Sequence, residues 1–456
     1  MAKQHPILTA VVAGLVTLPL LALVFLTNRD VFLLFGMLGI ICLTLLLFVR
    51  PEYGLPALLI VRPLVDSIGD RTISFLSFTV NVAAILSLIV IAWGVWIVQE
   101  HRGKIRQLPL VWILGAFGAL SVLSLSYSIT PFATVTEILR FGSFFMLFIV
   151  ALLTVKDLPA LTRVFSALAI GIVVPMFVGI IQVATNHGLT FADSVNRAYG
   201  TFGHPNVLAF YLVLCIFMLL GWRIARPQAL GTHWLFFVLL GLTLILTQTR
   251  GAWLGLAIGL AVVGVLRFRH VLFTGILIAV TALLLLPALN GAFGALGVNL
   301  NQAPIIGPIL TREFNTSSYD WRLQVWTDMK SYFYQRPIFG SGLGSFPTLQ
   351  QYKTFDIYDQ GVGAHNDYLR LIIELGLAGI FVYIVFLIAM ISGISQTTRA
   401  LGNHPLSTLP LLMGGFWVAF IFMSYFDNLL QSTPVMWAFM ILLGAVLNLR
   451  PQKVSA

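Results

Sequence analysis

The sequence predicts an all-α polytopic membrane protein of about 12 to 14 transmembrane helices. Of its 456 residues, 59% are hydrophobic and only 9% are charged, whereas a soluble domain carries about 25% charged residues. Apolar runs recur along the chain, and basic residues alternate between two sets of connections. Because so few charges cannot cover a water-exposed surface, lipid must surround most of this chain.

The apolar runs give the predicted spans. Run 7–26 is about 20 residues long and is followed by no small-residue cleavage site, so it is predicted as a permanent helix. Run 54–67 is short, and the alternation of charges holds only if it also crosses or re-enters the membrane. The remaining runs lie near 32–49, 76–98, 110–128, 133–155, 161–183, 204–222, 233–249, 250–267, 270–290, 366–392, 407–427 and 433–449.

The basic residues predict the orientation. Fourteen of them fall in one set of connections and four in the other, which is a clear positive-inside pattern. It predicts an inner-membrane protein with both termini in the cytoplasm and a single membrane domain over residues 1–456. The larger set comprises Lys3, Arg50, Arg102, Lys104, Arg106, Lys156, Arg163, Arg223, Arg226, Arg267, Arg269, Arg399, Arg450 and Lys453.

One long polar segment, residues 291–364, is predicted as a large periplasmic loop. It is too long for a bare connector. Within it, residues 319–334 carry apolar side chains at helical spacing, which predicts an amphipathic helix along the membrane surface or over a cavity. The alternative is a small packed extracellular subdomain.

Composition also limits the classes of ligand and partner that the chain is predicted to bind. Cys42 and Cys215 both lie inside apolar runs, which favours neither a disulfide nor a metal site. The basic residues behind the net charge of +10 lie at helix ends, where membrane topology explains them. No nucleic-acid partner is therefore predicted. The sequence contains no motif for a cofactor.

Three outer-facing segments collect polar residues. The first, Arg197 to Asn206, closes a loop and opens a helix whose N-terminus suits an anion. The second, Thr247 to Gly251, is a tight hairpin that holds Arg250 at the membrane boundary, where an arginine can bind a phosphate. The alternatives are a turn with a helix cap, and arginines that anchor the chain at lipid headgroups.

The third segment, Ala364 to Tyr368, precedes a long apolar helix. His365 there could act as a base for a hydroxyl, or it could be only a polar anchor. Within the following helix, Gly376 and Gly379 would allow close contact with another helix.

Other charged residues lie inside apolar runs. Intramembrane ionisable residues are functional candidates, but local pairing is predicted to account for these. The pairs three or four residues apart are Arg62 with Asp66, Glu137 with Arg140, and Arg370 with Glu374.

At these positions the sequence resembles the O-antigen ligase and polymerase superfamily. His365-Asn366, nine residues, then Gly376 and Gly379 match the signature His-[Asn/Ser/Gln]-x9-Gly-x-x-Gly. Three further segments resemble the family in the same order and extend the resemblance from Arg197 to Gly379. They are Arg197 to Asn206 with Gly203 and Pro205, the Thr-x-Thr-Arg250-Gly turn, and the Trp-x6–12-Pro-x-x-Gly-x-Gly-Leu-Gly-Ser-Phe segment downstream of Arg322.

The resemblance implies a GT-C-like glycosyltransferase acting on the periplasmic face. Its donor would be an undecaprenyl-diphosphate-linked glycan in the surrounding lipid. Arg197 and Arg250 would bind the diphosphate, and His365 would take the proton from the acceptor hydroxyl. Transfer would invert the sugar without a metal or cofactor. Gly203, Pro205, Asn206, Asn366, Gly376, Gly379 and Arg322 would support the motif.

By family naming alone, the resemblance favours an O-antigen ligase of lipopolysaccharide biosynthesis, with an O-antigen or exopolysaccharide polymerase of the same superfamily as the alternative. A ligase would use lipid A-core, and a polymerase would use a second lipid-linked glycan. A solute transporter also fits many crossings and intramembrane charges, and a structural scaffold in polysaccharide export is a third alternative. A transporter would need access to the polar residues from both sides of the membrane.

Overall fold

The computed structural model describes most of the chain outside its termini and two longer segments. The described residues are 31–66, 72–75, 78–108, 110–190, 196–227, 234–271, 273, 275, 316–351 and 363–449. The predicted span 7–26 lies outside them, as do most of the span 270–290 and much of the loop 291–364.

The described residues form fourteen α-helices and one short hairpin. The helices are α1 Val31–Val49, α2 Gly54–Leu64, α3 Val82–Glu100, α4 Val111–Ser124, α5 Pro131–Thr154, α6 Leu158–Ala184, α7 Pro205–Ala225, α8 Trp234–Leu246, α9 Arg250–Arg267, α10 Thr316–Gln335, α11 Phe346–Gln351, α12 Asp367–Leu401, α13 Thr408–Phe426 and α14 Thr433–Leu447. The hairpin pairs β1 (Thr72–Phe75) antiparallel with β2 (Phe78–Asn81).

The helical polytopic fold is confirmed. Within the described residues, seven helices are long and apolar enough to cross a membrane, or up to eight if α1 and α2 form one bent span. Three shorter apolar helices (α4, α8 and α14) accompany them. The hairpin is the departure from the all-α prediction. The total of 12 to 14 spans stays a prediction, because two of the predicted spans fall largely outside the described residues.

The short helix α2 connects the two ends of the helical bundle. Near its start, Glu52 lines a cavity of about 260 Å³ together with His101, Lys156 and Arg163. Beyond its end, the Asp66 carboxylate accepts a hydrogen bond from the backbone N–H of Gly203. The segment therefore runs from the basic end of the bundle to the end with the predicted site, as the alternation of charges required. The angle between α1 and α2 is 119°.

The predicted intramembrane pairs are present, but one prediction about them was incomplete. Arg62 binds Asp66 at 2.9 Å, Glu137 binds Arg140, and Arg370 Nε lies 3.3 Å from Glu374. Arg370 also reaches across to Glu137 on α5, at 2.7 Å. Pairing is therefore not only local, since these charges join α5 to α12.

The prediction that Gly376 allows close helix contact was wrong. Gly376 has φ 64° and ψ −160°, so it interrupts α12 in a region of backbone space that only glycine readily adopts. A Cβ there would overlap the Ile338 carbonyl. The N–H groups of Leu377 and Ala378 bond to the carbonyls of Pro337 and Ile338. The backbone of loop residues 337–338 therefore packs into the kink. Gly379 packs against Leu375 of its own helix.

The glycine-rich turn 340–344 completes this junction. Gly340, Gly342 and Gly344 all have positive φ, which glycine adopts without steric cost. The N–H of Gly342 bonds to the Glu374 carbonyl, and the Leu343 carbonyl accepts from the Thr134 hydroxyl of α5 at 2.6 Å. The turn thus joins α12 to α5 by hydrogen bonds, in the part of α12 that follows the predicted site residue His365.

The predicted loop helix 319–334 is confirmed as α10, and packing favours the subdomain alternative. Val325 and Met329 are fully buried against Phe346, Leu349 and Ile373. These apolar side chains form a small core of their own beside the start of α12. The apolar side of α10 therefore faces protein in this part of the structure.

Candidate functional site

The predicted site residues lie together at one end of the bundle, which we call the site end. Three connections supply them: residues 197–204 before α7, 247–249 between α8 and α9, and 363–366 before α12. A fourth connection, between α13 and α14, supplies Asp427. Helix ends on four sides thus bring residues distant in sequence to one place.

Arg197 is the first residue of the first connection and is buried. Its Nε donates to the Thr247 carbonyl at 2.8 Å. Its Nη2 donates to Asn206 Oδ1 at 2.7 Å and to the Thr249 hydroxyl at 3.1 Å. The guanidinium therefore fixes the Thr247–Thr249 turn against the start of α7.

The backbone around Arg197 is held from α6. The Gln182 side-chain oxygen accepts from the N–H groups of Tyr199 and Gly200 at 3.2 and 2.8 Å. Its amide donates to the Gly200 carbonyl at 2.9 Å. Leu189 and Arg197 form an isolated antiparallel bridge. One polar side chain on a membrane helix thus fixes the loop that positions the arginine.

Arg250 is the first residue of α9, directly after this turn. Gln248 has φ 54°, a left-handed conformation that a non-glycine residue rarely adopts. Arg250 is half-buried, and its charge lies at the positive N-terminal end of the helix dipole. That end of a helix favours anions.

His365, Asp427 and Asn206 form the core of the site. His365 Nδ1 lies 3.3 Å from Asp427 Oδ1, and Asn206 Nδ2 donates to Asp427 Oδ2. Asn206 also accepts from Arg197 and from Thr249. One continuous hydrogen-bonded network therefore connects the arginine and histidine segments through Asp427.

The backbone at His365 is tightly determined. Its φ is 44°, a conformation that costs energy for any residue but glycine. Trp326 Nε1 donates to the Ala364 carbonyl at 2.9 Å, and Gly363 donates to Gln350 at 2.9 Å. Asn366 caps α12 through Leu369 N at 3.0 Å. These contacts hold the ring towards Asp427.

Asp427 is itself held by its neighbours. Its Oδ1 accepts from Asn428 N at 2.8 Å, and Asp367 at the start of α12 accepts from Leu430 N at 3.1 Å. Burial raises the pKa of Asp427, but the hydrogen bond and charge of His365, with smaller effects of His204 and Arg322, hold that pKa below its usual value. Asp427 is therefore ionised at neutral pH.

His204 lies at the start of α7, where the sequence predicts a helix N-terminus that suits an anion. It is the N-cap, and its Nδ1 accepts from Asn206 N at 3.1 Å. Burial lowers the pKa of His204 to about 4, against an opposing effect of Asp427. The neutral ring therefore satisfies one of the donors that an anion would otherwise use.

Arg322 of α10 supplies a further positive charge near the site. Burial lowers its pKa, and the Asp427 carboxylate acts in the opposite direction. Gly203 and Pro205 flank the His204 cap. Gly376 and Gly379, in contrast, lie below the site at the kink of α12 and do not join the network.

Asp427 and Gln182 were not predicted from the sequence. Asp427 is an acid between two apolar runs, in a connection that topology places on the outer side, and this position was the available signal. Gln182 had a similar signal, as an amide near the outer end of an apolar run. Their roles depend on which elements lie beside them, which spacing along the chain does not encode.

Comparison with known families adds a finding that agrees with this geometry. Residues 235–384 match the family model described as O-antigen ligase. The match supports an assignment to the O-antigen ligase/polymerase superfamily over this part of the chain. The matched segment includes Arg250, Arg322 and His365, whereas Arg197 and Asp427 lie outside it. A search of curated proteins finds no matching relative.

The site combines a histidine with nearby cations. In the described part of the chain, no group of three or more His, Cys, Asp or Glu residues could hold a metal ion. In the tautomer that donates Nδ1–H to Asp427, the ring lone pair of His365 is on Nε2. His365 and two arginines thus lie at the same end of the bundle.

Proposed function

We propose that the protein is an inner-membrane glycosyltransferase that moves a glycan from undecaprenyl diphosphate to an acceptor hydroxyl on the periplasmic side. The observation that carries the proposal is the network from Arg197 and Thr249 through Asn206 and Asp427 to His365. It puts the proposed base and the proposed anion site in one hydrogen-bonded unit. The superfamily match supports a lipid-linked glycan as substrate.

The proposed reaction starts at His365. Nε2 takes the proton of the acceptor hydroxyl, and the resulting oxygen nucleophile attacks the anomeric carbon of the donor sugar. The bond from that carbon to the diphosphate oxygen breaks, and the diphosphate leaves with the electron pair. Because attack and departure occur on opposite faces, the anomeric configuration inverts. Asp427 stabilises the positive charge that the ring gains.

The two arginines serve this step differently in the proposal. Negative charge builds on the leaving diphosphate, and fixed cations stabilise it. Arg250 would contact the diphosphate from the start of α9. Arg197 already donates to three groups of the chain, so it would contribute its charge and hold the turn that presents Arg250.

The site end is proposed to face the periplasm. The opposite end carries the basic residues Lys156 and Arg163, as the positive-inside rule predicts for the cytoplasmic side. No ATP is available in the periplasm, so the energy for transfer must be stored in the donor bond. The polar network also gathers at one end of the bundle, which favours an enzyme over the transporter alternative.

The acceptor is what separates a ligase from a polymerase, and one reconstitution distinguishes them. Purified protein in detergent is given the undecaprenyl-diphosphate-linked glycan with or without lipid A-core, each in the presence and in the absence of EDTA. Product that requires lipid A-core indicates the ligase that we propose. Longer lipid-linked chains without lipid A-core indicate the polymerase.

Matched variants test the assigned roles in that assay. We expect His365→Ala to abolish transfer and Arg250→Gln to weaken donor binding, both without loss of folded protein. Arg102→Gln removes an exposed cation at the opposite end and should leave transfer unchanged. Normal activity in the His365 and Arg250 variants would refute the roles, and loss of activity with EDTA would refute metal-independent transfer.

A further inference from the structure

A groove between three helices opens at the end of the bundle opposite the site. It encloses a cavity of about 430 Å³ between α9, α12 and α13. Its walls are mainly apolar and include Val262, Leu266, Ile391, Leu411 and Val418. Leu266 is 66% exposed and Ile391 is 49% exposed. Such walls suit hydrocarbon chains, since this surface lies within the apolar spans.

Two arginines line the same groove. Arg267 is in the last turn of α9 and Arg399 is in the last turn of α12, and both line the cavity. Both are exposed, and neither forms a salt bridge with a carboxylate among the described residues. The groove thus has apolar walls along the helices and two cations where the helices end.

Small residues and tight packing shape the groove. Gly259 of α9 and Gly415 of α13 approach so closely that a Cβ on Gly259 would overlap the Gly415 carbonyl. On the other side, Trp417 of α13 donates to the Leu387 carbonyl of α12 at 3.3 Å. Both α9 and α12 therefore pack on α13, and the space between them is left as a groove.

We propose that this groove binds an anionic phospholipid, with its acyl chains between α9 and α12 and its phosphate against Arg267 and Arg399. Basic residues at the mouth of an apolar groove between membrane helices are typical of sites for acidic headgroups. An ammonium headgroup would place its positive charge beside two guanidinium groups. Charge complementarity therefore selects an anionic lipid over a zwitterionic one.

The groove lies on the two helices that carry the proposed site residues. Arg250 begins α9, and the His365-Asn366 pair precedes α12. A lipid bound between the far ends of these helices would limit their separation without touching the site. The lipid site would stand even if the chemistry proposed for the site end were wrong.

Native mass spectrometry of the full-length protein tests the site directly. The protein is titrated with dioleoyl phosphatidylglycerol, cardiolipin and dioleoyl phosphatidylethanolamine. We expect both anionic lipids to bind more tightly than phosphatidylethanolamine. Replacing both arginines (Arg267→Gln with Arg399→Gln) should reduce phosphatidylglycerol binding by about tenfold to thirtyfold, since each arginine near an anionic surface contributes about fivefold.

Two further variants keep the test specific. Arg102→Gln with Lys104→Gln removes two exposed cations at the same end of the bundle and should leave phosphatidylglycerol binding unchanged. Thr398→Trp fills the groove wall while keeping both arginines, and it should also displace the lipid.

Three results would overturn the lipid site. They are equal retention of all three lipids by the parent, unchanged phosphatidylglycerol binding in the double arginine variant, and an equal loss in the Arg102/Lys104 control. Equal retention by the parent would leave the chain that follows Arg269 as the occupant to test.

Discussion

Replacing Asp427 by asparagine keeps the shape of the side chain and removes its charge. The carbonyl oxygen of the new amide can still accept from the backbone of Asn428, so the fold around it should survive. The variant loses the negative charge that faces His365 Nδ1 at 3.3 Å. If Asp427 orients the ring and stabilises its protonated form, transfer must slow.

The structure gives the size of the expected effect. Opposite charges 3.3 Å apart attract by about 5 kcal/mol at an effective dielectric constant of about 20. Solvation offsets part of this, and hydrogen bonds to charged groups contribute about 1.5 to 3 kcal/mol. That range corresponds to a fall in kcat of about 10- to 150-fold. His365→Ala removes the proposed base itself and should lower kcat by a larger factor.

The assay is the rate of glycan transfer from the lipid-linked donor, measured over a range of donor concentrations so that kcat and KM are separated. Because Asp427 is proposed to act on His365 and not on the donor, Asp427→Asn should lower kcat and leave the donor KM near its parent value. A merely structural role for Asp427 would lower the amount of active protein without lowering kcat per folded molecule.

Asp157→Asn is the matched control, since Asp157 caps α6 through Ala160 N and asparagine caps equally well. It should leave both kcat and the donor KM unchanged. A kcat for Asp427→Asn within twofold of the parent would refute the coupling between Asp427 and His365.

Three further changes test the architecture by thermal unfolding in detergent. Gly376→Ala should lower the free energy of unfolding by about 3 kcal/mol or more, because alanine strains this backbone and its Cβ overlaps a loop carbonyl. In the control Gly393→Ala, the new Cβ meets only a leucine at 3.6 Å, so stability should not change. Equal melting temperatures for the two variants would contradict the kink. Glu137→Gln should lower the free energy of unfolding by about 3 to 5 kcal/mol, because it leaves the buried Arg370 and the partly exposed Arg140 with one fewer anion. Glu52→Gln, in an exposed pair, should change the free energy of unfolding by less than about 0.5 kcal/mol. The folded-state pKa of His204, about 4, is below its unfolded value of about 6.5, so the unfolded chain binds the proton more readily. The free energy of unfolding should therefore fall by up to about 3 kcal/mol as pH drops from about 6.5 to about 4. His204→Asn should flatten this dependence, and an unchanged slope would show that His204 is not its source.

Several parts of the fold followed from local sequence. The helices α7 and α9 begin within a few residues of the predicted starts of their runs, because apolar length and flanking polar residues determine where a helix can enter lipid. The pairs Arg62 with Asp66 and Arg370 with Glu374 followed from helical spacing alone. These features depend on neighbours along one helix.

Features that join distant segments did not follow from the sequence. Arg370 was predicted to pair within its helix, yet it also binds Glu137 on α5. Gly376 was predicted to pack against a helix, yet it accommodates the backbone of residues 337–338. Each contact depends on where two elements cross, and helical spacing carries no information about that.

The sequence by itself determined that this chain crosses a membrane many times, and it singled out His365, Arg197 and Arg250. Hydropathy and charge along the chain are enough to predict the membrane crossings. The ordered motifs are enough to single out the three residues. Only the tertiary structure decided that Asp427 joins His365 to Asn206, and that the Arg197 guanidinium holds the turn before Arg250. The physical reason is that a hydrogen-bonded network depends on distances of about 3 Å between atoms, and those distances exist only after the helices have packed.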